Sequence, residues 1–148
     1  MGKKVFTRDF TATIPVEGAV DVRHEPYTYW KLQEDIEVLG VELNIQNELP
    51  SENDGFAKCY AEISQAGFLF TDGVIACCSA SEGWNTAPPG ISETNGHVTV
   101  MLPQGSVITV KEEGYLYLNI ASFGKTAGIS GFRVEGIVYY TKPGYRSK

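Results

Sequence analysis

Hydrophobic and polar residues alternate between Ile36 and Gln46, which predicts a β-strand with one buried face. The apolar residues of that face are Leu39, Val41, Leu43 and Ile45. Ile36 and Val38 are also apolar, but they fall out of phase with this set. One inserted residue brings both sets to the same side of a strand, so the sequence predicts a β-bulge near Leu39 and Gly40.

Other segments also have the composition of strands and are separated by polar or glycine-containing turns. They are residues 56–64, 73–79, 97–102, 106–110, 115–121 and 132–142. The predicted inner face of the first is Phe56, Cys59, Ala61 and Ile63. Residues 79–96 are predicted to be a long irregular loop, and residues 123–130 are predicted to be a turn, because both are rich in glycine, serine and threonine.

The spacing of these strands predicts an all-β fold, since no segment has a helical apolar period over three turns. Eight or nine antiparallel strands with long loops favour a two-sheet β-sandwich of the jelly-roll type. An immunoglobulin-like sandwich is the alternative. It fits less well, because Trp30 precedes every cysteine and Trp84 follows them all.

The chain is predicted to have three parts, of which the first is residues 1–28. This segment begins with a β-prone run and continues into mixed composition after Pro15, which indicates an extended N-terminal arm or an edge strand. Residues 29–142 form the predicted sandwich, and residues 143–148 form a short tail. If the arm packs on another subunit, the side chains expected to contact that partner are Phe6, Phe10 and Ile14.

The net charge of −6 and the pI of about 4.9 disfavour binding to nucleic acid or to anionic membrane surfaces. No stretch approaches the ~20 apolar residues that span a bilayer. The N-terminal lysines have no apolar segment behind them, so we expect no signal peptide and synthesis in the cytoplasm.

The three cysteines, Cys59, Cys77 and Cys78, do not form a disulfide framework, because their number is odd and two are adjacent. Adjacent residues of a strand point to opposite faces. We expect buried, reduced thiols, with a Cys59–Cys77 or Cys59–Cys78 bridge as the alternative.

The sequence contains no motif of a catalytic nucleophile, a phosphate-binding loop, a cofactor or a metal site. His24 and His97 lack metal-ligand spacing, and Asn53-Asp54-Gly55 is a turn signal. The carboxylates of Glu34, Asp35 and Glu113 are expected to be solvated charges at turns. Their use by a glycosidase is the least favoured alternative, so we expect no enzyme.

Aromatic residues are the remaining signal for function. Trp84 lies in the predicted long loop and Tyr139 lies near the end of the last strand. Exposed Trp and Tyr side chains suit protein interfaces or stacking on a sugar ring. Trp84 and Tyr139 are therefore the other two candidate contact residues.

The C-terminal third carries a resemblance, on the segments VMLPQGSVITV at 100–110, GYLYLN at 114–119 and GIVYYTK at 136–142. Together they resemble small virion structural proteins of tailed bacteriophages, of the capsid decoration (cement) or head-fibre type. The strand at 115–119 also resembles trimeric jelly rolls of the tumour-necrosis-factor type. No residue roles can be carried over from these families.

The resemblance implies a non-enzymatic protein on the capsid exterior that stabilises the shell. Its partners would be the major capsid protein and copies of itself in a homotrimer. The alternative is a module of a phage tail or fibre that binds a carbohydrate or receptor, with Trp84 stacking on a surface glycan.

Overall fold

Strands form nearly all of the regular structure in the computed structural model, which describes residues 4–49, 55–86, 89–103 and 105–143. The eight strands are β1 (Phe6–Lys31), β2 (Ile36–Leu49), β3 (Gly55–Ser64), β4 (Val74–Thr86), β5 (Pro89–Thr94), β6 (Gly96–Met101), β7 (Ile108–Val110) and β8 (Tyr115–Thr141). All of their pairings are antiparallel. The described residues include no helix that is long and apolar enough to cross a membrane.

The two longest strands, β1 and β8, connect the two layers of the fold. They pair with each other from Phe6–Tyr140 to Lys31–Tyr115. On its other edge, β8 pairs with β2 through residues 131–141 and with β3 through residues 117–126. Each long strand therefore contributes one half to each layer.

The strand order is that of a jelly roll. One layer contains the first half of β1, the second half of β8, β2 and β6, and β7 also pairs with β2. The other layer contains the second half of β1, the first half of β8, β3, β4 and β5. Two interleaved four-stranded sheets of this kind define the jelly roll. The predicted all-β, antiparallel jelly-roll sandwich is confirmed.

A register shift marks where β1 passes from one layer to the other. It lies between Glu17 and Gly18, and Gly18 has a φ of 67°. This left-handed backbone conformation favours glycine because a Cβ atom is strained there. A bulge at this point bends β1 and turns its second half toward the other layer.

The core fills the space between the layers with alternating side chains from both. Every second residue of β1 from Phe10 to Val16 is buried. In β2 the buried residues change phase at Leu39, where the register with β8 shifts. Ile36, Val38, Val41, Leu43 and Ile45 therefore all face the core. The predicted bulge is confirmed, and Leu39 is the half-exposed residue beside it.

Four details of the predicted strand pattern are wrong. Leu39 was expected on the buried face of β2 but is partly exposed, because the bulge removes it from that face. Phe56 is 47% exposed, because Ala57 rather than Phe56 is in phase with the inner face of β3. Residues 79–96 are not an irregular loop, since β4 continues to Thr86 and pairs with β5. Residues 123–130 are not a turn but the middle of β8.

Gly124 allows two strands to pack closely and is not part of a turn. A Cβ atom at Gly124 would lie 2.4 Å from the carbonyl oxygen of Phe56 on the neighbouring strand. The absence of a side chain lets β8 approach β3 closely at this point.

The opening segment is an edge strand, which was one of its two predicted alternatives. β1 continues past residue 28 to Lys31 and bonds to β8 over its length. Phe10 and Ile14, which we expected to contact a partner, are only 4% and 2% exposed. They fill the core of their own domain, because the inner face of β1 covers the open side of the sandwich.

Shortening Ile14 to alanine should therefore destabilise the whole domain. We expect Ile14→Ala to lower the free energy of unfolding by about 2–5 kcal/mol, because it removes buried methyl groups and leaves a cavity. Chemical denaturation measures this loss. The matched control is Thr13→Ala on the exposed face of β1, with a loss below about 1 kcal/mol. Equal losses in the two variants would contradict the placement of Ile14.

Candidate interaction surface

A loop between β3 and β4, residues 65–73, folds over the outer face of the second layer. Beneath it lie Glu62 of β3 and Asn119 of β8, which are paired across the sheet. Both residues sit at outward-facing positions, yet both are 0% exposed. We call residues 65–73 the flap, because they exclude water from a part of the sheet that would otherwise face solvent.

The carboxylate of Glu62 is held by donors from the sheet and from the flap. The hydroxyl of Tyr60 donates to Oε2 at 2.8 Å, and the backbone N–H of Phe70 donates to the same oxygen at 3.3 Å. The Nδ2 group of Asn119 donates to Oε1 at 3.1 Å. A buried carboxylate without such donors is strongly destabilising. Burial and the bond to Glu62 together raise the pKa of Tyr60.

Asn119 also fixes the course of the flap. Its Nδ2 group lies 2.9 Å from the carbonyl oxygen of Ala66 and 3.2 Å from that of Phe68. The flap is further attached to β1, where Oε1 of Glu25 accepts the N–H of Leu69 at 2.9 Å. Backbone groups of the flap are thus bonded to three strands of the sheet, which limits its freedom to move.

The flap holds two phenylalanine side chains in solvent. Phe68 is 68% exposed and Phe70 is 63% exposed, whereas Leu69 between them is buried. Phe70 has a φ of 62°, a conformation that costs about 1 kcal/mol or more in a non-glycine residue. Its ring lies 5.1 Å from the ring of Tyr60, and the guanidinium of Arg23 lies 5.6 Å from the ring centre.

Tyrosines extend this aromatic surface along the sheet. The rings of Tyr29 and Tyr115 are 5.4 Å apart, and those of Tyr115 and Tyr117 are stacked at 5.4 Å. The flap contacts the same group, because Gly67 packs on the ring of Tyr117. We define the aromatic face as Tyr29, Tyr60, Phe68, Phe70, Tyr115 and Tyr117. Exposed aromatic patches of this kind are typical of protein interfaces.

The five contact residues predicted from sequence do not form one site. Phe6 is partly buried and stacks on Tyr140 with ring centres 5.6 Å apart. Tyr139 is half-buried, and its hydroxyl donates to Oε1 of Glu42 at 3.0 Å, which raises the pKa of Tyr139. Trp84 belongs to β4, where its backbone pairs with β3 and β5; its side chain lies outside the described residues. Phe10 and Ile14 lie in the core.

The carboxylates considered for a glycosidase are instead engaged in exposed ion pairs. Glu34 lies 3.5 Å from Lys142, and Glu113 lies 2.9 Å from Lys31 and raises the pKa of that lysine. Asp35 accepts the N–H of Glu112 at 2.8 Å, and this bond holds the pKa of its carboxyl below the usual range.

The histidines also lack the surroundings of a metal site. His97 contacts the side chains of Asn44 and Thr99, and His24 packs edge-on against Tyr27. Within the described ranges, no three residues among His, Cys, Asp and Glu are grouped so that they could hold a metal ion. Asn53 and Asp54 of the predicted turn lie outside the described residues.

The three thiols are free and differ in their surroundings. Cys59 is buried, and Cys78 donates to the carbonyl oxygen of Leu43 across the core at 3.7 Å. Burial raises the pKa of Cys59 to about 12 and that of Cys78 to about 11. Cys77 is exposed, so the expectation of a buried thiol is wrong for this residue. The adjacent cysteines point to opposite sides of β4, as expected.

Comparisons with known proteins give structural neighbours only. No protein-family model matches the sequence. No curated protein matches it either. Among solved structures, the chain is similar to infectious bursal disease virus, Gx strain, with 12% identity, a TM-score of 0.38, and coverage of 99% of this chain and 35% of that chain. The chain thus spans about a third of the length of that neighbour.

Two further neighbours match over nearly their full length. The decameric BFDV capsid protein has 12% identity and a TM-score of 0.40, over 93% of this chain and 98% of that chain. Desmodium yellow mottle tymovirus has 7% identity and a TM-score of 0.39, over 100% of this chain and 94% of that chain.

The aromatic face was missed from the sequence, although one signal of it was present. The segment Gly67-Phe68-Leu69-Phe70 places three large apolar residues next to the turn residues Thr71-Asp72-Gly73. Apolar residues at a turn between strands have no assured place in the core, and this was a reason to expect exposed phenylalanines. Nothing local to Glu62 or Asn119 indicated that the flap would bury them.

Removing the Asn119 side chain should loosen the flap. We expect Asn119→Ala to lower the free energy of unfolding by about 3 kcal/mol, because buried acceptors of Glu62, Ala66 and Phe68 lose their donor. Hydrogen exchange at the Leu69 and Phe70 amides should accelerate. The control Gln46→Ala, at an exposed position of β2, should change stability by less than about 0.5 kcal/mol. Unchanged exchange at both flap amides would contradict the role of Asn119.

The cysteines should react with a water-soluble alkylating reagent in a fixed order. At pH 8 we expect Cys77 to be modified first in the folded protein, because it is exposed. With a pKa of about 12, only about one Cys59 thiol in ten thousand is ionised at that pH, and the side chain is buried. Peptide mass spectrometry should show Cys59 modified only after denaturation. Modification of Cys59 at the rate of Cys77 in folded protein would be the contrary result.

Proposed function

We propose that the protein is a non-enzymatic virion structural protein, a capsid decoration protein that binds the exterior of the shell and stabilises it. The aromatic face is the observation that carries this proposal. Phe68 and Phe70 add little to the core of the domain, since both are more than half exposed. A rigid surface of exposed rings is suited to contact with another protein.

The way in which the flap is held favours tight binding. Binding energy at protein interfaces is concentrated in a few aromatic anchors, and ordering a mobile loop on contact reduces affinity. Glu62, Asn119 and Glu25 already order the flap in the free protein through buried hydrogen bonds. Phe68 and Phe70 are therefore presented to a partner without a further loss of backbone freedom.

The charges around the aromatic face indicate what the partner surface would carry. Arg23 lies over the ring of Phe70 and 3.8 Å from Oε1 of Glu25. Beside the face, Lys58 lies over the exposed ring of Phe123. The nearby carboxylates of Glu25 and Glu62 accept bonds from the flap. The face thus presents rings and cations in a chain with a net charge of −6. A capsid surface with an apolar depression and acidic groups around it would be complementary.

The resemblance of the C-terminal third to phage decoration proteins supports the same function, but the mode of attachment differs from our expectation for the arm. An arm that carried Phe10 and Ile14 to a neighbour would first have to leave the core. The aromatic face needs no such opening, so we assign capsid contact to it. Self-association as a homotrimer remains part of the proposal, because repeated copies would multiply weak contacts. Analytical ultracentrifugation of the pure protein tests that state.

Truncating Phe68 should weaken attachment without affecting the fold. We expect Phe68→Ala to lose about 2 kcal/mol of binding free energy, as an exposed aromatic anchor does, and to leave thermal stability unchanged. The measurement is density-gradient sedimentation of a native lysate, probed for this chain. The native chain should travel with virion-sized particles, and the variant should shift toward the top of the gradient.

The matched control is Met101→Ala, because Met101 is 59% exposed but lies on the other layer. It should sediment like the native chain. If the native chain stays at the top of the gradient, the virion assignment is lost. If the native chain and Phe68→Ala both travel with particles to the same extent, the virion role stands but the aromatic face is not the contact.

A further inference from the structure

A second surface feature lies at the end of the jelly roll where the two ends of β1 approach each other. Here a cleft of about 190 Å³ opens between the layers. Its polar and aromatic lining consists of Arg8, Trp30, Gln33, Glu34, Tyr140 and Lys142. We call it the edge cleft. It is distinct from the aromatic face, with which it shares no residue.

Cations and aromatic rings are layered at the edge cleft. The guanidinium of Arg8 lies 5.1 Å from the ring centre of Trp30, and that ring lies 5.0 Å from Tyr140. The ammonium of Lys142 lies 4.5 Å from the ring centre of Phe6 and 3.5 Å from Oε1 of Glu34. The rings and the aliphatic stems hold both cations at the opening.

The charge of Arg8 is not balanced within the chain. Among the residues that the structure describes, no carboxylate forms an ion pair with Arg8, whereas Lys142 is paired with Glu34. Arg8 is exposed, so its guanidinium is accessible to an external anion. The planar guanidinium offers several donors, and its best partner is a carboxylate bound through both oxygens.

The other lining groups narrow the chemistry of the ligand. Gln33 and Glu34 can bond hydroxyl groups. The partly exposed ring of Trp30, backed by the buried ring of Tyr140, provides an apolar wall against which C–H groups pack. An inorganic phosphate would use Arg8 but would have no C–H groups to pack against the aromatic wall. A neutral sugar would leave Arg8 without a counter-charge. The volume of about 190 Å³ is room for one sugar ring, and the open side of the cleft leaves space for the rest of a glycan.

We propose that the edge cleft binds a uronic acid residue of a glycan, with its carboxylate on Arg8 and its hydroxyls on Gln33 and Glu34. The ring would lie against the Trp30–Tyr140 wall. This adds a glycan-binding activity to the protein, at a site other than Trp84. It does not depend on the proposed virion role, because the cleft is complete in one copy of the chain.

Titration of the full chain with free glucuronic acid, followed by NMR at the indole N–H of Trp30, tests the proposal. We expect a saturable shift of that signal. Glucose has a neutral CH2OH group in place of the carboxylate of glucuronic acid and should give no saturable shift. Acetate supplies the carboxylate without the ring and should bind about tenfold more weakly.

Variants locate the site on the cleft. Arg8→Gln should weaken glucuronic acid binding about tenfold. The affinity of Arg8→Lys should lie between that of Arg8→Gln and that of the native chain, because lysine keeps the positive charge but lacks the paired N–H donors of the guanidinium. Arg133→Gln is the matched control, since Arg133 is an exposed arginine outside the cleft that is paired with Glu135. Its affinity should be native. Circular dichroism verifies the fold of each variant.

Three results would each overturn the proposal. The first is the absence of a saturable shift with glucuronic acid. The second is an affinity that Arg8→Gln leaves unchanged. The third is equal binding of acetate and glucuronic acid, which would show a general anion site and no sugar recognition.

Discussion

The hydrogen-bonded ladder between β1 and β8 is the constraint on which the rest of the structure depends. It runs from Phe6–Tyr140 to Lys31–Tyr115 and passes through both layers of the jelly roll. β2 and β3 are bonded to the other edge of β8. β6 and β7 pair with β2, β4 pairs with β3, and β5 pairs with β4. The pairing joins the two ends of the sequence, so the contacts that close the core are non-local. Folding through such contacts is slow in general, because a long loop must close before the pairing stabilises it.

The local part of this architecture could be predicted from the sequence. Alternation in β2 predicted its bulge and all of its inner face except Leu39, since Ile36 and Val38 could not share a face with Val41 unless a residue was inserted. The prediction was wrong at Phe56. This residue is apolar, but it points outward because its neighbour Ala57 occupies the inner face of β3. The prediction was also wrong in the middle of β8, because its glycines were interpreted as a turn. Gly124 is required because β3 packs closely against it at Phe56. Phe56 is distant in the sequence, so the residues around Gly124 do not indicate this contact.

The candidate site depends more heavily on tertiary contacts, and most of it could not be predicted. Glu62 and Asn119 occupy outward positions by alternation, so a local analysis takes them as solvated. Only the course of residues 65–73 over the sheet buries them, and only the resulting bonds make two exposed phenylalanines rigid. The same limit explains Phe10 and Ile14. Their segment has the composition of an arm, and it becomes core because β8 provides an edge for β1 along its whole length.

The position of β1 at the edge of the sheet affects how this protein could bind other proteins. Within the described residues β1 pairs only with β8, so its other edge carries backbone groups that a further strand could bond. That edge is interrupted by Pro15, by the bulge at Gly18 and by a second register shift between His24 and Thr28 near Pro26. Prolines and bulges break the regular row of donors that strand addition needs. Association through an added strand is therefore disfavoured along this edge. The two surfaces that we propose for binding, the aromatic face and the edge cleft, are made by side chains, so their specificity would come from rings and charges and not from the backbone.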